Sequence, residues 1–366
     1  MRSTAWRRFD WYLLTLVLVL GGFGVLMVAS ALYGNQVLAM WPWRQAGFLV
    51  FGLAVLFVTA AADYRLLTSV AYPLYLILLA VLVVISVIGT IAGGAQRWLT
   101  IGDFLFQPSE LVKISVILAL AHYLSSHEER IESILTPLAT LMILAPAVVL
   151  IYLQPNLSTA LSLLVIGGVM LVVGGLRWRH ALFLIVGGVA GAFFAWRYLL
   201  QDYMKDRVLM FLDPARVTSA ELYNIDQAVI SIGSGGWLGR GLFSGSQSQL
   251  HFLRVRHTDF IFSVTAEELG FVGAVLLIVL FTLLLWRLVR IAGIARDTFG
   301  RLIVTGVATM ILLQFVVNIG MNLNLVPVSG MPLPFISYGG SSLLTMLIGI
   351  GLAESVAMRH RKIVFE

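Results

Sequence analysis

Between Trp11 and Leu32 the chain reads WYLLTLVLVLGGFGVLMVASAL, twenty-two residues without a charge. A helix of that length crosses the roughly 30 Å hydrocarbon core of a bilayer at about 1.5 Å rise per residue. Ala29-Ser30-Ala31 imitates a signal-peptidase site, yet the run exceeds the roughly 7–15 apolar residues of a signal peptide, so it reads as an uncleaved first span. Runs of the same kind follow near 45–62, 70–94, 107–125, 134–153, 157–175, 180–200, 260–287, 302–325 and 335–357. Composition agrees, with 60% of the 366 residues hydrophobic and 11% charged, and a mean hydropathy of +0.96. A bilayer admits only structures that satisfy their own backbone polar groups, and long unbroken apolar runs select helices over a barrel. The reading is an all-α polytopic membrane protein of about ten transmembrane helices, one membrane domain over residues 1–366, with no soluble domain at either end.

Charge supplies an orientation. With the N-terminus taken as cytoplasmic, the inner segments hold Arg2, Arg7, Arg8, Arg65, Arg130, Arg177, Arg179, Arg287, Arg290, Arg296, Arg301, Arg359, Arg361 and Lys362, and the short outer loops hold only Arg44 and Arg97. Such a bias places both termini in the cytoplasm. The net charge of +6 is therefore a topology signal, and no nucleic acid is implied. One connection is long: residues 201–258, on the outer face between the seventh and eighth spans, carry Tyr203, Met210, Phe211, Tyr223, Trp237 and Phe252. That apolar content argues against disorder and for an amphipathic piece on the outer leaflet.

Several engines are absent: no G-x-x-x-x-G-K-[ST], no H-E-x-x-H, no cysteine, and no histidine pair at metal-ligand spacing. Chemistry must rest on carboxylates, cations and the substrate's leaving group. In Gln107-Pro108-Ser109-Glu110-Leu111-Val112-Lys113, Pro108 suits a first helical turn, and Glu110 and Lys113 stand three apart on one face, as a structural or a functional ion pair. In His257-Thr258-Asp259-Phe260, the acid sits where the long loop enters the eighth span, a position more often taken by a helix cap, whose geometry also serves a catalytic carboxylate. Glu267 and Glu268 lie deeper; on a helical wheel Glu267 falls roughly 80° from Asp259 and Glu268 nearly opposite it, so they form no single carboxylate dyad. Glu354, near the cytoplasmic end, reads as structural, paired with an Arg or Lys. The glycine-rich run Ile232 to Gly241 suits either a backbone cradle for an anion or a set of tight turns. Pro327 to Pro334 cannot continue a helix and reads as a re-entrant or interfacial loop buried against protein.

Six stretches carry a resemblance in order: Gly94-Ala95-Gln96-Arg97-Trp98-Leu99, Gln107 to Lys113, Gln154-Pro155, Tyr223 to Gly241, His257 to Phe262, and Pro332 to Ser342. Together they resemble the SEDS family of shape, elongation, division and sporulation proteins. Gln247-Ser248-Gln249-Leu250 ahead of Phe252-Leu253 is nearer the RodA branch than the FtsW branch. The chain departs from the family pattern at Asn156 and Ser158, where an Asp and a Gly are frequent, and near Arg254, where a Pro is frequent.

The resemblance implies a peptidoglycan glycosyltransferase of the bacterial cytoplasmic membrane. It would polymerise lipid II, a polyprenyl-pyrophosphate-linked disaccharide pentapeptide, at the outer face during cell elongation, with inversion at the anomeric carbon. It implies Asp259 as general base; Glu110, Lys113, Ser109, His257 and Thr258 as the supporting cavity; and Arg97, Arg240, Ser337, Tyr338 and Ser341 as substrate contacts. No dedicated metal ligands are visible, although a divalent cation, magnesium or manganese, is compatible with a pyrophosphate substrate. A class B penicillin-binding protein is the implied partner, beside membrane lipids. The competing readings are a lipid II flippase or transporter, which wants ionisable residues at the bilayer midplane, and a non-enzymatic scaffold, which would work without Asp259.

Overall fold

The computed structural model describes residues 6–92, 95–101, 104–130, 133–213, 220–250 and 252–360. Arg2, Gly94, Arg361 and Lys362 lie outside the described residues. The long helices are α1 (Trp11–Ala31), α2 (Trp41–Ala61), α3 (Leu67–Ile88), α4 (Pro108–Ser126), α5 (Leu135–Leu153), α6 (Leu157–Gly174) and α7 (Trp178–Phe194, continued by a π turn over Ala195–Leu199), with α11 (Ile261–Ile294), α12 (Thr298–Asn322) and α13 (Gly340–Met358). Short polar side chains start several of them. Asp10, Asn156 and Asp297 accept the backbone N–H groups of Leu13, Thr159 and Gly300, which satisfies donors that the first turn leaves free. Asn156 thus caps α6 as an aspartate would. Ser30, within the imitation cleavage site, is buried and donates to Glu268 at 2.5 Å.

Nine of these helices, among the described residues, are long and apolar enough to cross a membrane on their own. The tenth, α4, carries Glu110 and Lys113 in its first turns and packs against α3, α5, α6, α12 and α13. A polar helix is tolerated there because neighbouring helices, and not lipid, surround it. Helices α12 and α13 are likewise mostly buried, whereas α7 buries none of its residues.

Helix α3 ends at Ile88, where the apolar run continues to residue 94, and a small sheet accompanies the nearly all-helical fold. Strands β1 (Thr90–Ala92), β2 (Ala95–Ile101) and β3 (Phe104–Phe106) form an antiparallel sheet in the order β1-β2-β3. Gly89 leaves the helix in an extended conformation, and the glycines, threonines and aromatics that follow favour short strands over a further helical turn. The long connection is also more than a loop: it contains α8 (Asp202–Leu212), α9 (Ala220–Ser234) and the short α10 (Ser246–Gln249), of which α9 packs on α11.

One end of the bundle gathers three ion pairs: Arg287 with Asp10 at 2.5 Å, Arg65 with Asp297 at 3.3 Å and Arg359 with Asp63 at 3.7 Å. Glu354 lies near this end and, among the described residues, forms no direct ion pair with a cation. Its Oε2 accepts the Asp10 backbone N–H at 3.0 Å, and Asp10 is the group that meets Arg287. The opposite end, where α1 and α12 finish and α2, α4, α11 and α13 begin, holds the sheet, α8 and a large cavity.

Candidate active site

The cavity has a volume of about 1070 Å³. Asp259 reaches it from the turn that leads into α11. The cap position of that helix is Phe260 and no side chain there bonds the first turn; instead Asn322 of α12 accepts Ser263 N–H at 3.2 Å. Opposite the acid lies Gly330, in a left-handed conformation (φ +67°), where an added Cβ would stand 3.7 Å from Asp259 Oδ2. The loop that carries it is held by Ser158, whose hydroxyl donates to the Ser329 carbonyl at 2.6 Å. The departure at position 158 therefore adds a tether.

The floor comes from α4. Lys113 Nζ lies 2.8 Å from Glu110 Oε2, with both side chains almost wholly buried, and both line the cavity. Ser109 does not line it; buried beside them, it accepts Gln107 Nε2 at 3.1 Å. Ser341, at the start of α13, faces the cavity and accepts the Gln107 backbone N–H at 2.9 Å, which joins α4 to α13.

Arg97 projects from β2 into the same space. Burial, and then the neighbouring Arg207, lower its proton affinity, while Asp259, Tyr203 and Glu110 act in the opposite sense. Its buried Nε has no hydrogen-bond partner among the described residues. Arg207 of α8 and Arg44 of α2 also line the cavity, so four cations face two carboxylates, Asp259 and Glu110. That balance suits a substrate with more than one negative charge.

Aromatic and loop residues form a wall. Tyr338 stacks on Trp41 with centroids 4.4 Å apart, and His257 meets Trp41 edge-on at 5.0 Å. Burial, aided by the charge of Arg256, pushes the His257 imidazole down to about 4, so it is neutral at physiological pH. Burial raises the Tyr338 phenol, against the pull of Arg44 beside it. The His257 carbonyl accepts Tyr338 N–H at 2.9 Å. Ser337 is a bracket behind the wall: its hydroxyl donates to the Thr258 carbonyl at 2.6 Å and accepts Leu333 N–H at 2.8 Å. His257, Thr258, Tyr338 and Ser341 line the cavity and Ser337 supports it.

Arg240 is not brought to the cavity. Its Nε donates to the Ser234 carbonyl and its Nη1 to Ser246. The glycine-rich run packs on the kink of α11 at Gly270, where φ is 67°. The break frees the Glu267 and Glu268 carbonyls, which accept Arg240 N–H at 3.0 Å and Gly241 N–H at 2.9 Å. These two N–H groups bind helix carbonyls, which favours the tight-turn reading. Glu267 accepts Gln247 N–H and Ser246 Oγ, so both glutamates anchor the long connection.

Residues without a sequence motif complete the site. Arg207 sits in a stretch that reads as loop, and Gln314 of α12 reads as part of an apolar span. Gln314 is buried, lines the cavity and leaves Oε1 without a hydrogen-bond partner among the described residues.

Comparison with known proteins accords with this geometry. A profile of the FtsW, RodA and SpoVE cell cycle proteins matches residues 10–362. The peptidoglycan glycosyltransferase MrdB of Escherichia coli K12 is 38% identical over 365 residues, which cover 99% of this chain and 97% of MrdB. The probable peptidoglycan glycosyltransferase FtsW of Geobacter metallireducens is 36% identical, covering 97% of this chain and 96% of that protein. Among solved structures, a chain from a peptidoglycan synthase complex that coordinates polymerization and crosslinking superimposes with a TM-score of 0.82, at 36% identity over 96% of this chain and 98% of that one. The rod-shape-determining protein RodA of Thermus thermophilus gives 0.72, at 34% identity over 97% and 98% of the two chains. Motifs, helix bundle and full-length matches agree, and this multi-pass membrane protein belongs to the FtsW/RodA/SpoVE family.

Proposed function

We propose that the chain is a peptidoglycan glycosyltransferase that polymerises lipid II at the outer face of the bacterial cytoplasmic membrane, in the RodA role of cell elongation, with Asp259 as general base. The observation that carries the reading is one cavity lined by a carboxylate, a buried ion-paired lysine and a desolvated arginine. In each step an acceptor sugar hydroxyl forms a bond to the anomeric carbon of a second, lipid-linked sugar. Its proton passes to Asp259, and the anomeric C–O bond breaks with its electron pair leaving on the polyprenyl diphosphate. Direct displacement inverts that carbon and needs one base. The developing diphosphate charge needs cations, which Lys113, Arg97 and Arg207 supply from a desolvated wall where such contacts are strong. Glu110 holds Lys113 in place. We assign Tyr338 and Trp41 to the sugars, and Ser341 and Gln314 to polar groups of the substrate.

A divalent cation carried in by the diphosphate would meet two carboxylates, and Glu110 is already engaged by Lys113. Among the described residues no three His, Cys, Asp or Glu side chains converge. The likeness to a synthase that couples polymerization with crosslinking supports a crosslinking partner, which we take to be a class B penicillin-binding protein.

Asp259→Asn is the test. A positioned base contributes about 10²–10⁴-fold, so the purified variant in vesicles should lose at least about a hundredfold in lipid II polymerisation while it inserts and unfolds like the wild type. Equal glycan polymer from both proteins would defeat the assignment, and labelled lipid II crossing the vesicle without polymer would point to transport instead.

A further inference from the structure

The proposed chemistry leaves unexplained two buried asparagines on α12, Asn318 and Asn322, each with no exposed surface. They stand four apart and so share a helix face. Their amides are oriented without ambiguity. Asn322 Oδ1 receives both Ser263 N–H at 3.2 Å and Ser263 Oγ at 2.6 Å. A backbone N–H only donates, so the oxygen must face Ser263 and the amide nitrogen must face the other way. There Nδ2 donates to the Asp259 carbonyl at 3.0 Å and to the Asn318 carbonyl at 2.8 Å. Asn318 Nδ2 in turn donates to the same Asp259 carbonyl at 3.0 Å and to the Met331 carbonyl at 2.8 Å.

Two amides thus converge on one backbone oxygen, that of Asp259. The second bond from Asn318 fixes Met331, the neighbour of Gly330, which faces the Asp259 carboxylate. One α12 side chain therefore sets both the position of the acid and the wall it faces. Asp259 precedes the first helical residue, and its carbonyl takes both of these bonds from α12. A general base works only within about 2.6–3.2 Å of the hydroxyl it deprotonates, and a displacement of about 1 Å can cost roughly a hundredfold.

We infer that Asn318 and Asn322 are positioning residues for the reaction: a two-amide clamp on the Asp259 carbonyl that holds the base against the Gly330–Met331 wall. The inference rests on the reading of Asp259 as the base. The clamp makes no contact with substrate and acts through the backbone.

The experiment measures kcat and KM for lipid II polymerisation by the purified full-length protein in vesicles. The variants are Asn318→Leu, which keeps volume and removes the donor; Asn318→Asp, which keeps shape; Asp259→Asn; and Asn318→Leu combined with Asp259→Asn. Size-exclusion profile and thermal midpoint report folding, and Asn318→Asp decides the matter if Asn318→Leu does not yield monodisperse protein. The clamp predicts a fall of about ten- to a hundredfold in kcat, a KM within about threefold of wild type, and no further loss when Asn318→Leu is added to Asp259→Asn, because residues that act as one unit are non-additive. A folded Asn318 variant with wild-type kcat beside an inactive Asp259→Asn overturns the clamp and leaves the base standing. A rise in KM alone, or a further tenfold loss in the combined variant, also overturns it. Full activity of Asp259→Asn removes the base and the clamp together.

Discussion

Lys113 and Glu110 show how a single pair can be structural and functional at once. Both side chains are almost wholly buried, and removal of one member of such a pair strands the other charge, at a cost of about 3–5 kcal/mol. Lys113→Met should therefore lower the thermal midpoint and abolish polymerisation together. The paired change Glu110→Gln with Lys113→Gln removes the stranded charge, so it should restore the midpoint and leave lipid II polymerisation lost; restored polymerisation would reduce the pair to a structural role. His257 makes a prediction in pH. Its folded value of about 4 lies below the ordinary 6.5, so the unfolded chain binds the extra proton, and the neutral ring's contribution is complete above pH 6.5 and lost as pH falls toward 4. Scans of thermal midpoint in detergent should fall across that window for the wild type and flatten for His257→Phe, and parallel slopes would contradict the assignment. At this scale the sequence marks Asp259, Lys113 and Arg97, because each stands in a compact motif. Arg207, Gln314, Asn318 and Asn322 carry no local signal: their meaning comes from the packing of α8 and α12 around segments more than fifty residues away. Arg240 misleads for the same reason, since a flexible cation beside glycines looks free until Ser234 and Ser246 take up its donors.

Helix α11 and the glycine run are read together, and neither makes sense alone. Gly270 breaks the helix, and the freed carbonyls of Glu267 and Glu268 accept backbone N–H groups from the run. Contact is close enough that a Cβ at Gly235 would lie 2.0 Å from the Ala266 carbonyl oxygen, whereas one at Gly233 would meet nothing within 4 Å. Gly235→Ala should therefore force the backbones apart and cost about 1–3 kcal/mol or more, with polymerisation falling as the long connection loses its seat. Gly233→Ala, inside α9, should be neutral or stabilising by up to about 1 kcal/mol. Thermal midpoints of the two variants decide it, and equal values would mean that the run is not docked in this way. The long helices were legible because an apolar run needs no partner to declare itself. The sheet after α3 was not: its strands are short, and glycines that end a helix also begin a turn. Helix α9 carried no span signal in the long connection because it packs part of its surface on α11.

At the scale of the whole molecule, the two ends of the bundle differ in chemistry, and that difference is what a directional membrane enzyme needs. The ion pairs of Arg65, Arg287 and Arg359 tie helix ends together at one face, the face to which most of the short-loop arginines belong, and which we propose from the positive-inside bias to be cytoplasmic. The cavity opens at the other face, where the lipid-linked sugar must lie if glycan is to be laid down outside the cell. The absence of cysteine from the chain makes the orientation directly measurable. Val37 is 88% exposed between α1 and α2 at the cavity end, and Arg296 is exposed between α11 and α12 at the opposite end. In intact spheroplasts a membrane-impermeant maleimide should label Val37→Cys at once and Arg296→Cys only after permeabilisation. The reverse pattern would put Asp259 on the side of the membrane without a growing wall, and no arrangement of base and cations in the cavity would then serve polymerisation.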